Sequence, residues 1–533
     1  MALEEKKNAD IETEHAEHVN ESEVGAIDKA DFVPSIEEAA ASKAAWLISV
    51  TVSLGGFLFG YDTGYISSVL VTIGTSLGHK LSSSEQELVT SLTSGGALVG
   101  AVGAGLTADR FGRKMPIWAA CVVFIVGTTL QTAAYSVAQF AVGRFVVGLG
   151  VGSAAMVVPL YIGELAPAKY RGRMVAFNNM SVTFGQLVAS ALGAAFATVP
   201  GESWRATVGI GALPAVLLGG LLFWCPESPR QLVSHGRNEE ADKVLLRLYP
   251  TSSEQQRRDK MATIASSCEE ATENSLSNES LATSFARIFT NGQTGRAVLT
   301  ACVVMAISQL GGFNTLMYYS ATLFSIVGFD NATAVAITVS GTNFVFSILN
   351  LVLVDKFGRR RLLTVTVLGM SICMLIAAVS FSYIPINLST LEVESTQIGW
   401  PGTLVLVTII CYVGFFSTGV ATIAWIGTEL MPIEARALGT MLNTVVCWST
   451  NIIISSTFLS MMKGITPSGA FGFYCGICFV GWLFILFFYP DVKGMPLETI
   501  REVFAHGFGL KFSKQWQREH KHERKAVEVA FGH

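Results

Sequence analysis

Apolar residues run along this chain in blocks of roughly twenty, the length an α-helix needs to cross a hydrocarbon layer. The blocks lie near 45–71, 88–108, 115–136, 138–161, 174–199 and 206–224, then near 297–327, 333–354, 362–384, 402–430, 437–462 and 469–489. This pattern predicts an all-α polytopic membrane protein with twelve spans in two sets of six. Polar stretches divide it into a tail 1–43, a first bundle 44–224, a linker 225–296, a second bundle 297–489 and a tail 490–533.

Composition excludes a soluble enzyme. Of 533 residues 51% are hydrophobic and 14% charged, and mean hydropathy is +0.49. Charges collect outside the blocks: 16 in 1–43, 19 in 225–296 and 14 in 490–533, leaving 27 for the other 374 residues. Residues 1–38 hold twelve Asp or Glu against three Lys, so this tail is expected to be disordered, and it lacks the basic start of a cleaved signal peptide. The first span then acts as its own signal. Nothing resembles a nucleic-acid surface, and the absence of a Walker motif excludes ATP as the driving force.

Short loops give the orientation. Loops 109–114, 169–173, 355–361 and 434–436 hold eleven Lys or Arg, whereas the opposite loops hold Lys80, Arg205 and Lys463. By the positive-inside rule both tails and the linker are cytoplasmic, with the plasma membrane as the expected site. The sequons at Asn331 and Asn387 then face outward, close to the membrane, and Asn278 faces the cytoplasm. Cys475 and Cys478 form a CxxC inside an apolar run, without His or carboxylate neighbours, and are read as packing rather than metal ligands.

Within the linker, E-E-A-D-K-V-L-L-R-L-Y at 239–249 has apolar residues at helical spacing, predicting a short amphipathic helix at the inner face. A brace between the halves is favoured over a partner-binding helix. Charged motifs also repeat. Asp109-Arg-Phe-Gly-Arg113-Lys follows span 2 and Asp355-Lys-Phe-Gly-Arg359-Arg follows span 8, while Glu164 precedes Arg171 by seven after span 4 and Glu429 precedes Arg436 by seven after span 10. Two signatures recurring six spans apart imply parallel six-helix repeats that rock about a central site. Basic residues alone would set topology, but the added carboxylates favour an inner gate of ion pairs, made when the cytoplasmic side closes and broken when it opens.

D-R-F-G-R-K, the run P-L-Y-I-G-E-L-A-P-A-K-Y-R-G-R and P-E-S-P-R at 226–230, with Glu227 and Arg230, together resemble the sugar porter family of the major facilitator superfamily. The resemblance runs from Gly55 to about Phe504. F-G-Y-D-T-G-Y-I-S-S-V-L at 59–70, V-S-G-T-N-F at 339–344 and S-S-T-F-L at 455–459 are most similar to fungal proton-coupled myo-inositol transporters. It implies the major facilitator fold with a cytoplasmic helical linker, and no cofactor.

Two charges fall well inside the hydrocarbon, Asp62 of span 1 and Arg144 of span 4, at compatible depth in the outer half. An isolated ion there costs about 2.5–3.5 kcal/mol on the lenient insertion scale, so the two should pair. Pairing favours the charged carboxylate and burial alone disfavours it, so a change that separates them makes Asp62 take or release a proton. Proton coupling is favoured over a permanent structural bridge. The resemblance agrees, since proton symporters of this type carry Asp in the F-G-Y-D motif.

A neutral polyol or sugar needs amides and hydroxyls at mid-membrane with an aromatic wall. Gln186 on span 5, Gln309 and Asn314 on span 7, Asn343 on span 8, and Trp448 with Asn451 on span 11 reach one depth by residue count. Such amides also serve as interhelical glue, so each has both readings. The resemblance implies that Gln186, Gln309, Asn314, Asn343, Trp425, Trp448 and Asn451 contact sugar, with Phe59 and Tyr318 secondary. Two departures bear on selectivity: Ser308-Gln309 replaces the usual paired glutamines, and G-V-A-T-I-A-W at 419–425 lacks the usual prolines, leaving Gly419 to permit the bend. Gly148, Gly150 and Gly152 lie inside span 4 and predict close helix packing, not a dinucleotide loop. The sequence thus predicts proton-coupled myo-inositol symport, with a hexose transporter and a non-transporting nutrient sensor as alternatives.

Overall fold

A computed structural model of the chain describes residues 42–276, 290, 292–388, 391–393, 399–431, 436–492, 495 and 502–519. The disorder expected of 1–38 and the sequon at Asn278 lie outside them. Twelve helical stretches are long and apolar enough to cross a membrane: spans 1–6 are Lys43–Thr72, Ser83–Ala108, Lys114–Thr132, Val137–Leu165, Tyr170–Ala197 and Trp204–Leu221. Spans 7–12 are Gly292–Val327, Ala332–Val354, Arg359–Phe381, Trp400–Ile426, Leu438–Ser455 and Phe458–Phe488.

Local chemistry sets several span starts. Ser82 and Glu85 form a capping box before span 2, Ser136 accepts from Gln139 N before span 4, and the Asn331 side chain accepts from Ala334 N before span 8. Each satisfies backbone donors that a helix start leaves open. The glycines of span 4 do what their spacing predicts. A Cβ at Gly148 would lie 2.2 Å from Thr93 O and one at Gly152 2.0 Å from Ala97 O, both on span 2. Backbone therefore packs on backbone between these two spans.

Several helical stretches are interrupted. Span 7 interrupts at Gly311-Gly312, where Gly312 has φ +99°, between the helices Gly292–Leu310 and Phe313–Val327. Span 10 breaks at Gly419, as the missing prolines require, and a Cβ there would sit 2.0 Å from Thr366 Oγ1. The helix Phe458–Phe488 contains non-helical Ile465 and Thr466, the latter at φ +68°. Sixteen residues of straight helix cover about 24 Å. The Phe458 and Tyr474 rings nevertheless lie 6.2 Å apart, so the chain reverses at 465–466. Residues 458–464 therefore extend span 11, and span 12 proper is 467–488, in line with the run boundaries read from sequence.

Outside the membrane, helices α1 (Pro229–Ser234), α2 (Asn238–Leu248) and α3 (Glu254–Leu276) form the linker. The amphipathic segment is α2, and it buries Ala241, Val244, Leu245 and Leu248 in the core of the first bundle. Arg247 donates to Trp224 O at 3.0 Å and Ser42 Oγ to Arg247 O at 3.2 Å. Its described bonds go to the first bundle and, through Asp242 and Arg257, to α3, which differs from the expected brace between halves. Strands β1 (Ile386–Asn387) and β2 (Glu392–Val393) pair antiparallel between spans 9 and 10, placing sequon residue Asn387 opposite Glu392.

The face carrying the linker helices is termed the linker side, and the opposite face the far side. One large core joins both bundles toward the far side, uniting Ile66 and Val69 of span 1 with Leu316 and Leu323 of span 7. A second core belongs mainly to the first bundle on the linker side. Hydrogen bonds between the bundles from mid-membrane to the far side include those of Ser67 with Ser320 and Ala321 N, Glu87 with Ser460, Ser94 with Asn451 and Gln186 with Asn343. These bonds and the shared core tie the bundles together on the far side.

Candidate functional site

Asp62 and Arg144 meet. Arg144 Nη1 donates to Asp62 Oδ1 at 2.6 Å, and the side chains are 1% and 0% exposed. Arg144 Nε donates to Val89 O at 3.1 Å, which fixes the guanidinium against span 2. Asp62 Oδ2 is buried with no partner. Two neutral residues complete the group. Tyr65, three positions on from Asp62 and so on the same helix face, has its hydroxyl 2.9 Å from Asp62 Oδ1, from Gln131 Oε1 of span 3 and from Arg144 Nη1.

The amides gather into two networks that bridge the bundles. In the first, Asn343 Nδ2 donates to Gln186 Oε1 at 2.7 Å, Gln186 Nε2 to Thr63 Oγ1 at 3.1 Å, and Ser417 Oγ to Asn343 Oδ1 at 2.7 Å. The second centres on Gln309 Oε1, which accepts from Asn314 Nδ2 and, at 3.4 Å, from Asn451 Nδ2. Ser94 Oγ donates to Asn451 Oδ1 at 3.0 Å, and Tyr318 interacts with both Ser94 and Asn451. Phe59 and Trp448 join spans 1 and 11 edge to face with ring centroids 5.7 Å apart. The Trp448 Nε1 donor is buried and without an acceptor. Trp425 stands apart from these groups, 39% exposed on the short helix beyond Gly419.

Two gate carboxylates, Glu164 and Glu227, bond to the loop after span 2. Arg113 Nη2 lies 2.8 Å from Glu164 Oε1, both side chains nearly buried, and Glu227 accepts from the backbone N of Arg113, Lys114 and Ser228. Glu164 and Arg171 line a small cleft with Tyr249 and Lys260 of the linker. Arg230 is exposed at the start of α1, and Arg359 is half-buried at the start of span 9. The side chains of Asp109, Asp355, Glu429 and Arg436 lie outside the described ones.

Sequence reasoning missed Tyr65, Gln131, Thr63, Ser94 and Ser417, all neutral. It also missed Glu87, which is 4% exposed and bonded across the far-side seam to Ser460 N and Oγ at 2.7 and 2.6 Å. Its signal was available: a carboxylate one turn inside a span that has no nearby cation in sequence.

Residues 48–504 match the family model described as sugar (and other) transporter. The chain is 41% identical to myo-inositol transporter 1 of Cryptococcus neoformans var. grubii, over 92% of this chain and 85% of that one. It is 39% identical to myo-inositol transporter 1 of Candida albicans, over 94% and 90%. The fold is similar to the proton:xylose symporter XylE bound to 6-bromo-6-deoxy-D-glucose, with TM-score 0.71, 26% identity, and 87% and 100% coverage. With the match spanning both bundles and the linker, the chain belongs to the sugar transporter family of the major facilitator superfamily.

Proposed function

We propose that this chain is a secondary active transporter that carries a neutral cyclic polyol, myo-inositol, together with a proton into the cell by alternating access. The myo-inositol transporters among its relatives and the proton symporter among its structural neighbours support this reading. The observation that carries it lies in span 1. Adjacent residues serve the two cargoes: Asp62 holds the buried Arg144 pair, and Thr63 accepts from Gln186, whose other end takes Asn343 of the opposite bundle.

Asp62 is the proton carrier and Arg144 its modulating partner. Gln186, Gln309, Asn314, Asn343, Asn451 and Trp448 bind substrate hydroxyls and ring faces, with Phe59, Tyr318 and Trp425 in support. Residues 44–224 and 297–489 rock as two bundles, with both tails and the linker 225–296 in the cytoplasm and the chain in the plasma membrane. The linker side is then the cytoplasmic side. Asp109, Arg113, Glu164, Arg171, Glu227, Arg230, Asp355, Arg359, Glu429 and Arg436 form the gate that closes that side. A membrane potential supplies about 2.3 kcal/mol per proton per 100 mV and each pH unit about 1.4 kcal/mol, enough to concentrate a neutral solute more than tenfold.

The test is uptake of radiolabelled myo-inositol and glucose in a transport-deficient host, with and without a protonophore. Inositol should accumulate, and the protonophore or Asp62→Asn should abolish accumulation. Concentrative uptake by Asp62→Asn, or inositol entry with no accompanying inward current, would overturn the proposal. Full competition by glucose would shift the substrate to hexoses.

A further inference from the structure

We propose that Tyr65 and Gln131 form a proton-loading switch for Asp62, in which the Tyr65 hydroxyl moves its one hydrogen bond from the charged carboxylate to the Gln131 amide when Asp62 becomes protonated. This rests on the reading of Asp62 as the proton carrier and assigns two positioning residues to it.

A phenol has one O–H. The Tyr65 hydroxyl nevertheless lies 2.9 Å from two acceptors, Asp62 Oδ1 and Gln131 Oε1. The Gln131 amide is oriented by its other end, since Nε2 donates to Gly143 O at 3.3 Å, so oxygen faces Tyr65. Arg144 Nη1 occupies a lone pair of the Tyr65 oxygen at 2.9 Å, which leaves the O–H free to rotate between the two acceptors. The titratable and charged groups that face it are Asp62 and Tyr61 from span 1, Arg144 from span 4 and Tyr318 from span 7. Tyr61 is tied away by donating to Thr207 O at 2.8 Å. Among the described groups, Asp62 therefore carries the charge change that the hydroxyl senses.

The step balances simply. Hydronium of the external solution gives a proton to Asp62 Oδ2, the buried oxygen without a partner, leaving water and converting the carboxylate to a neutral acid. Oδ1, now a carbonyl oxygen that still accepts from Arg144, is a weaker acceptor, and the Tyr65 O–H turns to Gln131 with no other bond broken. Without Gln131 the hydroxyl would have only Oδ1 to donate to, a weaker acceptor once Asp62 is protonated, and would favour the charged form. Without Tyr65 the charged form loses a donor.

The two substitutions are therefore predicted to act with opposite sign. Tyr65→Phe removes a donor from the anion, so the proton is held to higher pH. The external pH of half-maximal inositol uptake should rise by about half to one unit. Gln131→Leu removes the acceptor of the protonated form, and the midpoint should fall by a similar amount. In the Tyr65→Phe background Gln131→Leu should have no further effect, because Gln131 acts through Tyr65. KM for inositol at saturating acidity should stay unchanged, since neither residue touches substrate. Uptake is normalised to surface protein, and Gln131→Met is run beside Gln131→Leu so that a packing defect of one is not mistaken for the effect. Shifts of the same sign, no shift in either variant, or an undiminished Gln131→Leu shift without Tyr65 would overturn the switch. Asp62→Asn is the separate control: if it still concentrates inositol, the proton-carrier reading falls. If it does not and the single variants fail to shift, only the switch falls.

Discussion

Glu87 is predicted to be a latch on the far-side closure. Its carboxylate accepts from Ser460 N at 2.7 Å and from Ser460 Oγ at 2.6 Å, both across the seam between bundles. Bonds to a charged group contribute about 1.5–3 kcal/mol each when made in a buried site. In the far-open state water replaces both, so the differential loss on Glu87→Ala is below their sum, on the order of 2 kcal/mol. That corresponds to roughly thirtyfold in the ratio of far-closed to far-open molecules. The reporter is Ser67→Cys, because Ser67 is 4% exposed and lies 2.9 Å from Ser320 across the same seam. A membrane-impermeant thiol reagent added from the far side should label position 67 roughly thirtyfold faster in Glu87→Ala than with Glu87 intact, if opening is a fast pre-equilibrium. Glu87→Gln, which keeps one acceptor oxygen, should fall between. Equal labelling rates at equal surface levels would refute the latch.

Asn343→Ala removes the donor to Gln186 across the bundles and should raise the inositol KM about tenfold, measured by initial uptake rates; an unchanged KM would remove Asn343 from the site. Gln309→Ala and Trp448→Ala should lose inositol binding while reaching the surface normally, as read by ligand binding to membranes. Glu164→Lys places a second cation against nearly buried Arg113 and should hold the protein open on the linker side, seen as faster labelling by linker-side cysteine probes. Gly152→Leu puts a side chain where a Cβ already lies 2.0 Å from Ala97 O and should abolish surface expression, whereas Gly163→Ala, with open space around it, should not.

Span positions were legible because hydrocarbon imposes one requirement on every residue of a crossing helix. The run 333–354 became Ala332–Val354, and 45–71 became Lys43–Thr72. The Asp62–Arg144 contact was legible for the converse reason: two ions that no interface can reach must find each other. The breaks were harder. Gly311-Gly312 sits in an unbroken apolar run, and only the left-handed φ of Gly312 marks it, whereas Gly419 was readable because the usual prolines were missing. Neutral partners were invisible, since Tyr65, Gln131, Thr63 and Ser417 are residues that membrane helices carry for many reasons. Among the charges, the repeated motifs pointed to ion pairs between helix ends of the two halves, whereas Glu164 pairs with Arg113 from the loop after span 2 of its own half. A repeat marks which charges belong to the gate, and does not name the partner of each.

In the proposed cycle both members of the buried ion pair belong to the first bundle, as do Tyr65, Gln131 and Thr63, and close backbone packing locks span 1 to span 5: a Cβ at Gly60 would sit 1.9 Å from Val182 O. Rigid rocking of the bundles therefore leaves the 2.6 Å pair intact. What rocking changes is its cover. Tyr318 of span 7 bonds Ser94 on span 2, and Ser320 of the same span bonds Ser67 on span 1. When the far side opens, span 7 withdraws this cover and water reaches Asp62 Oδ2. When it closes, the carboxyl is sealed in whichever protonation state it holds. The same movement breaks the Asn343 to Gln186 bond, and a polyol hydroxyl, able to donate and accept at once, can enter between the two amides and leave each with a partner. Proton and polyol are thus admitted by one event without any wire between their sites, because a single seam covers them both.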